Sequence, residues 1–195
     1  QDESCSTIKF DPKGRYVLAG FDKDGDENHQ IYAIPYDGGL PQPLVTGDPQ
    51  DKYFLTDLSD DGERIYYMTS EENPSFMNAR VRNLENDSDT LLNIGEVSPT
   101  ELAAVSENEE SFVYLRAFAN TYVTGFVKKG EETLNLTPDP GKVHVTFDPV
   151  FVGPNTIYFV TDYESEYNYV AKFDLNNRKF SRVLSVENES VEQLK

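Results

Sequence analysis

The sequence predicts an all-β protein in which one four-stranded antiparallel sheet is repeated about four times. Short apolar segments alternate with polar turns along all 195 residues. No stretch shows the apolar period of 3.6 residues that an amphipathic helix would require. Four segments share one pattern at nearly constant spacing, which is the signature of a repeat architecture.

Two apolar positions on either side of a polar turn mark each repeat, and the second follows the first by seven residues. The first marker is Phe10, Leu58, Val105 or Val150, and the second is Val17, Ile65, Phe112 or Ile157. Both markers recur after 48, 47 and 45 residues. Since two independent markers keep one spacing, the sequence predicts a repeated structural unit.

Each unit contains four segments with the composition of β-strands. We expect units at about residues 6–47, 53–95, 101–138 and 145–184, followed by the lead-in to a further unit at 185–195. The turns hold residues that tolerate tight bends, namely Gly14, Gly62, Gly130, Asp37-Gly38 and Asn176-Asn177. The second segment of each unit is apolar at consecutive positions, as in 65–68, which predicts a strand covered on both faces.

A repeated four-stranded antiparallel sheet of roughly 40–50 residues, packed between like sheets, is the blade of a β-propeller. The predicted fold class is therefore a β-propeller of about four four-stranded blades. A plain β-sandwich is the alternative, but it does not explain the constant spacing of the repeat.

The segment "GFDKDGDENHQIYAIPYDGGLPQPLVTG" resembles a blade of the TolB-type and prolyl-oligopeptidase-type propellers. In those blades a Pro-Asp-Gly-like turn leads to an apolar strand, and a D-x-D-G hairpin, an I-Y pair and a D-G-G turn follow. The matching residues here are 11–14, 22–25, 31–32, 37–39 and 44–46. The likeness is weaker in the third and fourth units, where Glu109 and Asn155 replace the turn glycine.

The resemblance implies that the chain is part of a larger ring of six to eight blades. It also implies the non-catalytic propeller portion of a serine peptidase similar to prolyl oligopeptidase or acylaminoacyl peptidase. There the propeller covers the active site and admits only small peptides. The implied partners are the remaining blades, an α/β-hydrolase domain and peptides, and self-association is a further expectation. The alternative is a TolB-like propeller that binds protein partners and belongs to no enzyme.

The chain carries no recognisable catalytic machinery, so we assign no catalytic, cofactor-binding or metal-binding residue. No serine has glycine at both −2 and +2, as a nucleophile elbow requires. His29 and His144 lie in polar segments and are expected at the surface. Three glutamate pairs invite comparison with those that hold the substrate amine in dipeptidyl-peptidase-type propellers, but they lack that family's aromatic helix motif. They are Glu71-Glu72, Glu109-Glu110 and Glu131-Glu132.

The acidic cluster Asp22, Asp24 and Asp26 could be a calcium loop or the tip of a hairpin. An EF-hand loop has glycine at its sixth position and a bidentate glutamate at its twelfth. Counted from Asp22, these positions are Glu27 and Ala33. The spacing therefore favours a hairpin tip, with a weak calcium site as the alternative.

Composition bounds the function further. The net charge of −18 opposes binding to nucleic acid or to an anionic membrane surface, and no apolar run is long enough to span a membrane. Twelve Tyr and twelve Phe favour a packed core over disorder. Cys5 is the one cysteine and cannot form an internal disulfide. The glycosylation sequons at Asn86, Asn135 and Asn188 matter only in a secreted protein. We expect a cytoplasmic location, with a periplasmic or secreted protein as the alternative, and a processed or excised piece because the chain opens on Gln1.

Overall fold

The structure is a computed structural model that describes residues 5–23 and 25–194. These residues form sixteen β-strands arranged in four four-stranded antiparallel sheets, and strands that are neighbours in the chain are neighbours in each sheet. No helix in this part of the chain is long and apolar enough to cross a membrane. The predicted architecture of four four-stranded antiparallel units is confirmed. We call the sheets blades 1 to 4 in chain order.

The strand bounds follow the repeat. Blade 1 contains β1 (Cys5–Phe10), β2 (Tyr16–Phe21), β3 (Gln30–Pro35) and β4 (Gln42–Val45). Blade 2 contains β5 (Tyr53–Leu58), β6 (Arg64–Thr69), β7 (Asn78–Asn83) and β8 (Asp89–Ile94). Blade 3 contains β9 (Thr100–Val105), β10 (Ser111–Ala119), β11 (Tyr122–Lys129) and β12 (Glu132–Asn135). Blade 4 contains β13 (Thr146–Phe151), β14 (Thr156–Thr161), β15 (Tyr169–Asp174) and β16 (Lys179–Leu184).

The register explains the two apolar markers of the repeat. In the first three blades the markers are cross-strand partners, namely Phe10–Val17, Leu58–Ile65 and Val105–Phe112. In blade 4, Ile157 pairs with Phe151 and not with Val150, because the turn between β13 and β14 is one residue shorter. Val150 pairs instead with Tyr158, so the spacing of seven residues does not mark a cross-strand pair in the fourth unit. Every blade also has a register shift between its first two strands, which repeats the same irregularity four times.

The turn between the first two strands requires a left-handed backbone. Gly14 and Gly62 adopt φ of 67° and 68° there, and Glu109 adopts 56° at the corresponding position of blade 3. A residue with a Cβ costs roughly 1–2 kcal/mol in this conformation, so the glycines are the unstrained solution. The first residue of the turn accepts a hydrogen bond from the backbone amide at its end. In blade 1 the Asp11 carboxylate accepts from the Arg15 amide. In blades 2 and 3 the Ser59 and Ser106 hydroxyls accept from the amides of Arg64 and Ser111.

The chain divides into two compact units between Val97 and Ser98. Within the first unit an apolar core lies between blades 1 and 2, formed by Leu18, Ile31, Val45, Tyr53, Leu55, Ile65 and Tyr67. Within the second unit the core lies between blades 3 and 4, formed by Val113, Val127, Leu136, Ile157, Phe159, Tyr169, Ala171, Phe173 and Leu175. Each core is thus made by two sheets stacked face to face.

The second strands meet the prediction of double coverage to different degrees. All residues of β6 from Ile65 to Thr69 are buried, so both faces of this strand are covered. Val17 in β2 and Phe112 in β10 are only half-buried. Continuous apolarity therefore predicted the strands correctly but overstated the coverage of β2 and β10.

Both histidines are buried, which contradicts the prediction that they lie at the surface. His29 is 9% exposed and packs against Phe54 with 5.2 Å between ring centroids. His144 is 2% exposed, and its Nδ1 lies 2.7 Å from the Lys142 carbonyl oxygen. Each histidine stands at a backbone junction between two blades. The polar neighbouring sequence does not predict this burial, because the rings that pack against His29 and His144, those of Phe54 and Tyr163, lie further along the chain.

Candidate interaction surfaces

The acidic segment after β2 is a loop held by hydrogen bonds to its own backbone. The Asp22 carboxylate is buried and accepts from the Glu27 amide at 3.3 Å. The Asp26 carboxylate accepts from the Asn28 amide at 2.9 Å, and this bond lowers the pKa of Asp26. Asp24 lies outside the described residues. No group of three or more His, Cys, Asp or Glu side chains among the described residues is placed to hold a metal ion.

The three glutamate pairs lie at three separate places, namely after β6, before β10 and at the start of β12, and one member of each pair makes a structural contact. Glu71 accepts a hydrogen bond from the Tyr53 hydroxyl at 3.2 Å. Glu110 accepts from the Asn108 amide group at 2.9 Å, and Glu132 forms an ion pair with Arg178 at 2.5 Å. Tyr53 is buried, and this raises its pKa to about 12. It therefore acts as a hydrogen-bond donor at neutral pH rather than as a base.

The turns of blades 1 and 2 are joined by a polar clamp. The Arg15 guanidinium group donates two hydrogen bonds to the fully buried Asp11 carboxylate, from Nε to Oδ2 at 2.7 Å and from Nη2 to Oδ1 at 3.0 Å. Arg15 also donates to the Gly62 carbonyl oxygen of blade 2 at 2.7 Å. The hydrogen bonds from Arg15 lower the pKa of Asp11 to about 2. The carboxylate is thus fixed as an anion that holds two blades together.

The outer face of blade 1, on the side away from blade 2, is apolar, and its first strand is open to solvent. It consists of two cross-strand rows, Phe10–Val17–Ile34 and Ile8–Ala19–Tyr32. The opposite face, with Leu18 and Ile31, packs against blade 2. On the outer face Phe10 remains 74% exposed and Ile8 56% exposed.

The corresponding positions of blades 2 and 4 are packed against the preceding blade. Ile65 of blade 2 and Ile157 of blade 4 occupy the place of Val17, and both are fully buried against the preceding blade. Leu58 and Phe151 occupy the place of Phe10 and pack at the edges of the same two cores. The outer face of blade 1 therefore has the residue pattern of a face between two blades.

The outer face of blade 4, on the side away from blade 3, carries the cross-strand row Phe147–Val160–Val170–Leu184. Val160 is fully buried and Val170 is 7% exposed. The tail, defined as residues 190–194, is fastened at two points on this blade. The Val191 amide donates to the Asn168 carbonyl oxygen at 3.0 Å, and the Leu194 amide donates to Asp148 at 3.3 Å. Asn168 precedes β15 and Asp148 lies in β13, so the tail runs from the third strand of the blade to the first.

Comparison with known proteins identifies the fold. No family model and no curated protein sequence matches the chain. Solved structures match over most of it. A TolB protein from Agrobacterium tumefaciens has a TM-score of 0.67 at 14% identity, covering 95% of this chain and 64% of that one. A structure from an analysis of two prolyl endopeptidases has a TM-score of 0.73 at 12% identity, and the match covers 96% of this chain and 29% of that one. An oligogalacturonate lyase in complex with manganese has a TM-score of 0.68 at 13% identity, and the match covers 94% of this chain and 54% of that one.

Identities this low establish the fold and nothing finer. The chain has the β-propeller fold, and the resemblance to TolB-like and prolyl-oligopeptidase propellers is confirmed at that level. The chain spans less than two thirds of each of these three structures, at 64%, 29% and 54% of their lengths. Since one fold serves a TolB protein, a peptidase and a lyase, function has to be argued from this chain's own surfaces.

Proposed function

We propose that this chain is the non-catalytic propeller portion of a prolyl-oligopeptidase-type serine peptidase, where it gates substrate access and offers surface for interaction. The observation that supports this most directly is the open outer face of blade 1. Contiguous apolar surface of this kind is rarely left exposed on a soluble monomer. Its residue pattern is that of a face between blades, which fits a propeller with more blades than these four.

The choice of a peptidase rests on two further points. The prolyl endopeptidase structure matches 96% of this chain, and the match takes up 29% of that protein. That protein was analysed for the role of inter-domain dynamics in catalysis and specificity. A propeller that moves relative to a catalytic domain would control which substrates enter, because a ring of blades excludes large chains by size.

The residues described here supply no chemistry of their own to such an enzyme. Acyl transfer by serine needs a nucleophile within hydrogen-bond reach of a histidine base. The ring of His144 is held by the Lys142 carbonyl oxygen and by Thr137 at 3.2 Å, and it is buried between blades. We therefore assign catalysis to a separate α/β-hydrolase domain and gating to the propeller.

The proposal is tested on the natural protein. An antibody raised against the 195-residue chain would isolate the protein from the cells that make it, and a fluorophosphonate would label any activated serine. We expect a labelled polypeptide heavier than the 22.1 kDa of this chain. The isolated chain serves as the control and should neither react nor hydrolyse peptidyl or acetylated-amino-acid substrates. An immunoreactive protein that takes no label would contradict the peptidase assignment and favour a TolB-like interaction propeller.

A further inference from the structure

We propose that the tail is the first strand of a further blade, and that the outer face of blade 4 is the docking surface for that blade. The occupant is a four-stranded antiparallel sheet whose first strand begins at the tail. The inference rests on the propeller architecture within the proposed function, but not on the peptidase activity.

The first step concerns how consecutive blades are joined within each unit. In the first unit the Tyr53 amide, at the start of β5, donates to the carbonyl oxygen of His29 at 2.7 Å. His29 immediately precedes β3. In the second unit the Val123 amide, at the start of β11, donates to the carbonyl oxygen of His144 at 2.9 Å, beside a parallel bridge between Val123 and Val145. At both junctions the start of a blade's first strand lies beside the start of the third strand of the blade before it.

The tail repeats this junction on blade 4. The Val191 amide donates to the carbonyl oxygen of Asn168, which immediately precedes β15, the third strand of blade 4. The two residues joined by the hydrogen bond are 24, 21 and 23 positions apart at the three junctions. The Ser190 hydroxyl strengthens the third one by accepting from the Asn168 amide at 3.1 Å. The tail therefore occupies the place that a first strand occupies in blades 2 and 4.

The face beneath the tail supports the same assignment. Val170 pairs with Leu184 at the position where Ile31 pairs with Val45 in blade 1, and in both blades a register shift follows. Blade 2 buries Ile31 and Val45 to 0% and 2% exposed. On blade 4, Val170 is 7% exposed while Leu184 is 54% exposed.

The face is thus buried at β14 and β15, between the two points where the tail is fastened, and open at β16. A single first strand would give this partial cover, and the three remaining strands of its blade would complete it. The chemistry expected of those strands is that of blade 2, which presents apolar side chains such as Leu55 and Ile65 to blade 1.

Thiol labelling tests the inference by measuring the exposure of position 184. A Leu184→Cys variant is made in the 195-residue chain and in the natural protein, each with Cys5→Ser. Labelling by a maleimide is followed by mass spectrometry of the peptide that contains position 184. We expect labelling at least tenfold slower in the natural protein, because strands that follow the tail bury this position. Leu91→Cys is the matched control. Leu91 is 43% exposed on the outer strand of blade 2, and its face of that blade already has blade 1 as neighbour.

Equal labelling rates at position 184 in the two proteins would overturn the inference, as would a natural protein that ends with the tail. Slower labelling as the concentration of the 195-residue chain rises would show that a second copy is the occupant instead, and would also overturn it. The proposed function fails separately: a protected position 184 in a protein without fluorophosphonate labelling would leave this inference standing and remove the peptidase.

Discussion

The outer faces of blades 1 and 4 are both apolar rows on four-stranded sheets, but blade 1 is open along its first strand, whereas blade 4 is open along its last strand. Phe10 on blade 1 is 74% exposed, whereas Val160 on blade 4 is fully buried. We attribute the burial of Val160 to the tail, which is fastened by backbone amides to Asn168 and Asp148 of the same blade. The comparison teaches that the four strands of a blade form whether or not the first strand of its outer face is covered.

The largest expected effect separates the covered face from the open one. Val160→Asp places an unpaired carboxylate beneath the tail and should lower the free energy of unfolding by about 3–5 kcal/mol. Phe10→Asp places the same group on the open face and should change it by about 0.5 kcal/mol or less. Urea unfolding of the two variants measures the difference. Similar losses would show that the two faces are covered alike.

The inner side of blade 1 sharpens the comparison, since it is fixed by the polar clamp whatever covers the outer face. Gly62→Ala adds a methyl group 2.4 Å from the Asp11 carboxylate, whereas Gly14→Ala meets nothing within 4 Å. Both substitutions carry the cost of a left-handed φ. We expect losses of about 2–3 kcal/mol for Gly62→Ala and about 1 kcal/mol for Gly14→Ala in urea unfolding. Equal losses would mean that the clamp contributes nothing.

A third variant removes the fastening of the tail itself. Val191→Pro deletes the amide that donates to Asn168 and loosens the cover over Val160, so we expect a loss of about 1–2 kcal/mol. Glu192→Pro is the matched control, because Glu192 is exposed and its neighbour supplies the hydrogen bond. Thermal unfolding should show a lower midpoint for Val191→Pro alone. A control that unfolds as early would place the effect in chain stiffness and not in the junction.

The smallest stability effect is the pH dependence of the clamp. The pKa of Asp11 is lowered to about 2 in the folded protein from 3.8. The contribution of the ionised Asp11 to the free energy of unfolding is therefore fully present above about pH 4 and is lost as the pH falls towards 2. Because the Arg15 side chain is 44% exposed, solvent screening reduces this contribution to about 1 kcal/mol. Asp11→Asn should be less stable than the unsubstituted 195-residue chain at pH 7 and match it near pH 2. A difference that stays constant over that range would contradict the ion pair.

Much of the fold was predictable because a blade is a local structure. Its strands follow one another in the chain, so the spacing of Val17 and Ile65 carries the repeat directly. The shorter turn before Ile157 was missed because Val150 and Phe151 are adjacent and both apolar. The left-handed Glu109 could not be read from sequence, since glutamate is not a residue that this conformation favours.

The interaction surfaces were less predictable because they depend on contacts between distant segments. In the sequence Phe10 and Leu18 look alike, and only the position of blade 2 decides which of them is buried. His29 and His144 were placed at the surface from their polar neighbours, but each lies at a junction whose other half is more than 20 residues away. The tail shows no strand pattern of its own. The strand proposed for it rests on the hydrogen bond between the Val191 amide and the Asn168 carbonyl oxygen, which the sequence does not reveal.

Binding of a hydrophobic fluorescent dye tests most directly the central claim that blade 1 keeps an open face built for another blade. We predict that the chain enhances bis-ANS fluorescence and that the double variant Ile8→Lys/Phe10→Lys loses most of this enhancement while unfolding at the same urea concentration. Tyr36→Lys/Leu40→Lys is matched in charge and removes two residues that are 75% and 79% exposed outside the face. It should retain the enhancement. A chain that binds no dye, or two double variants that lose it equally, would contradict the account.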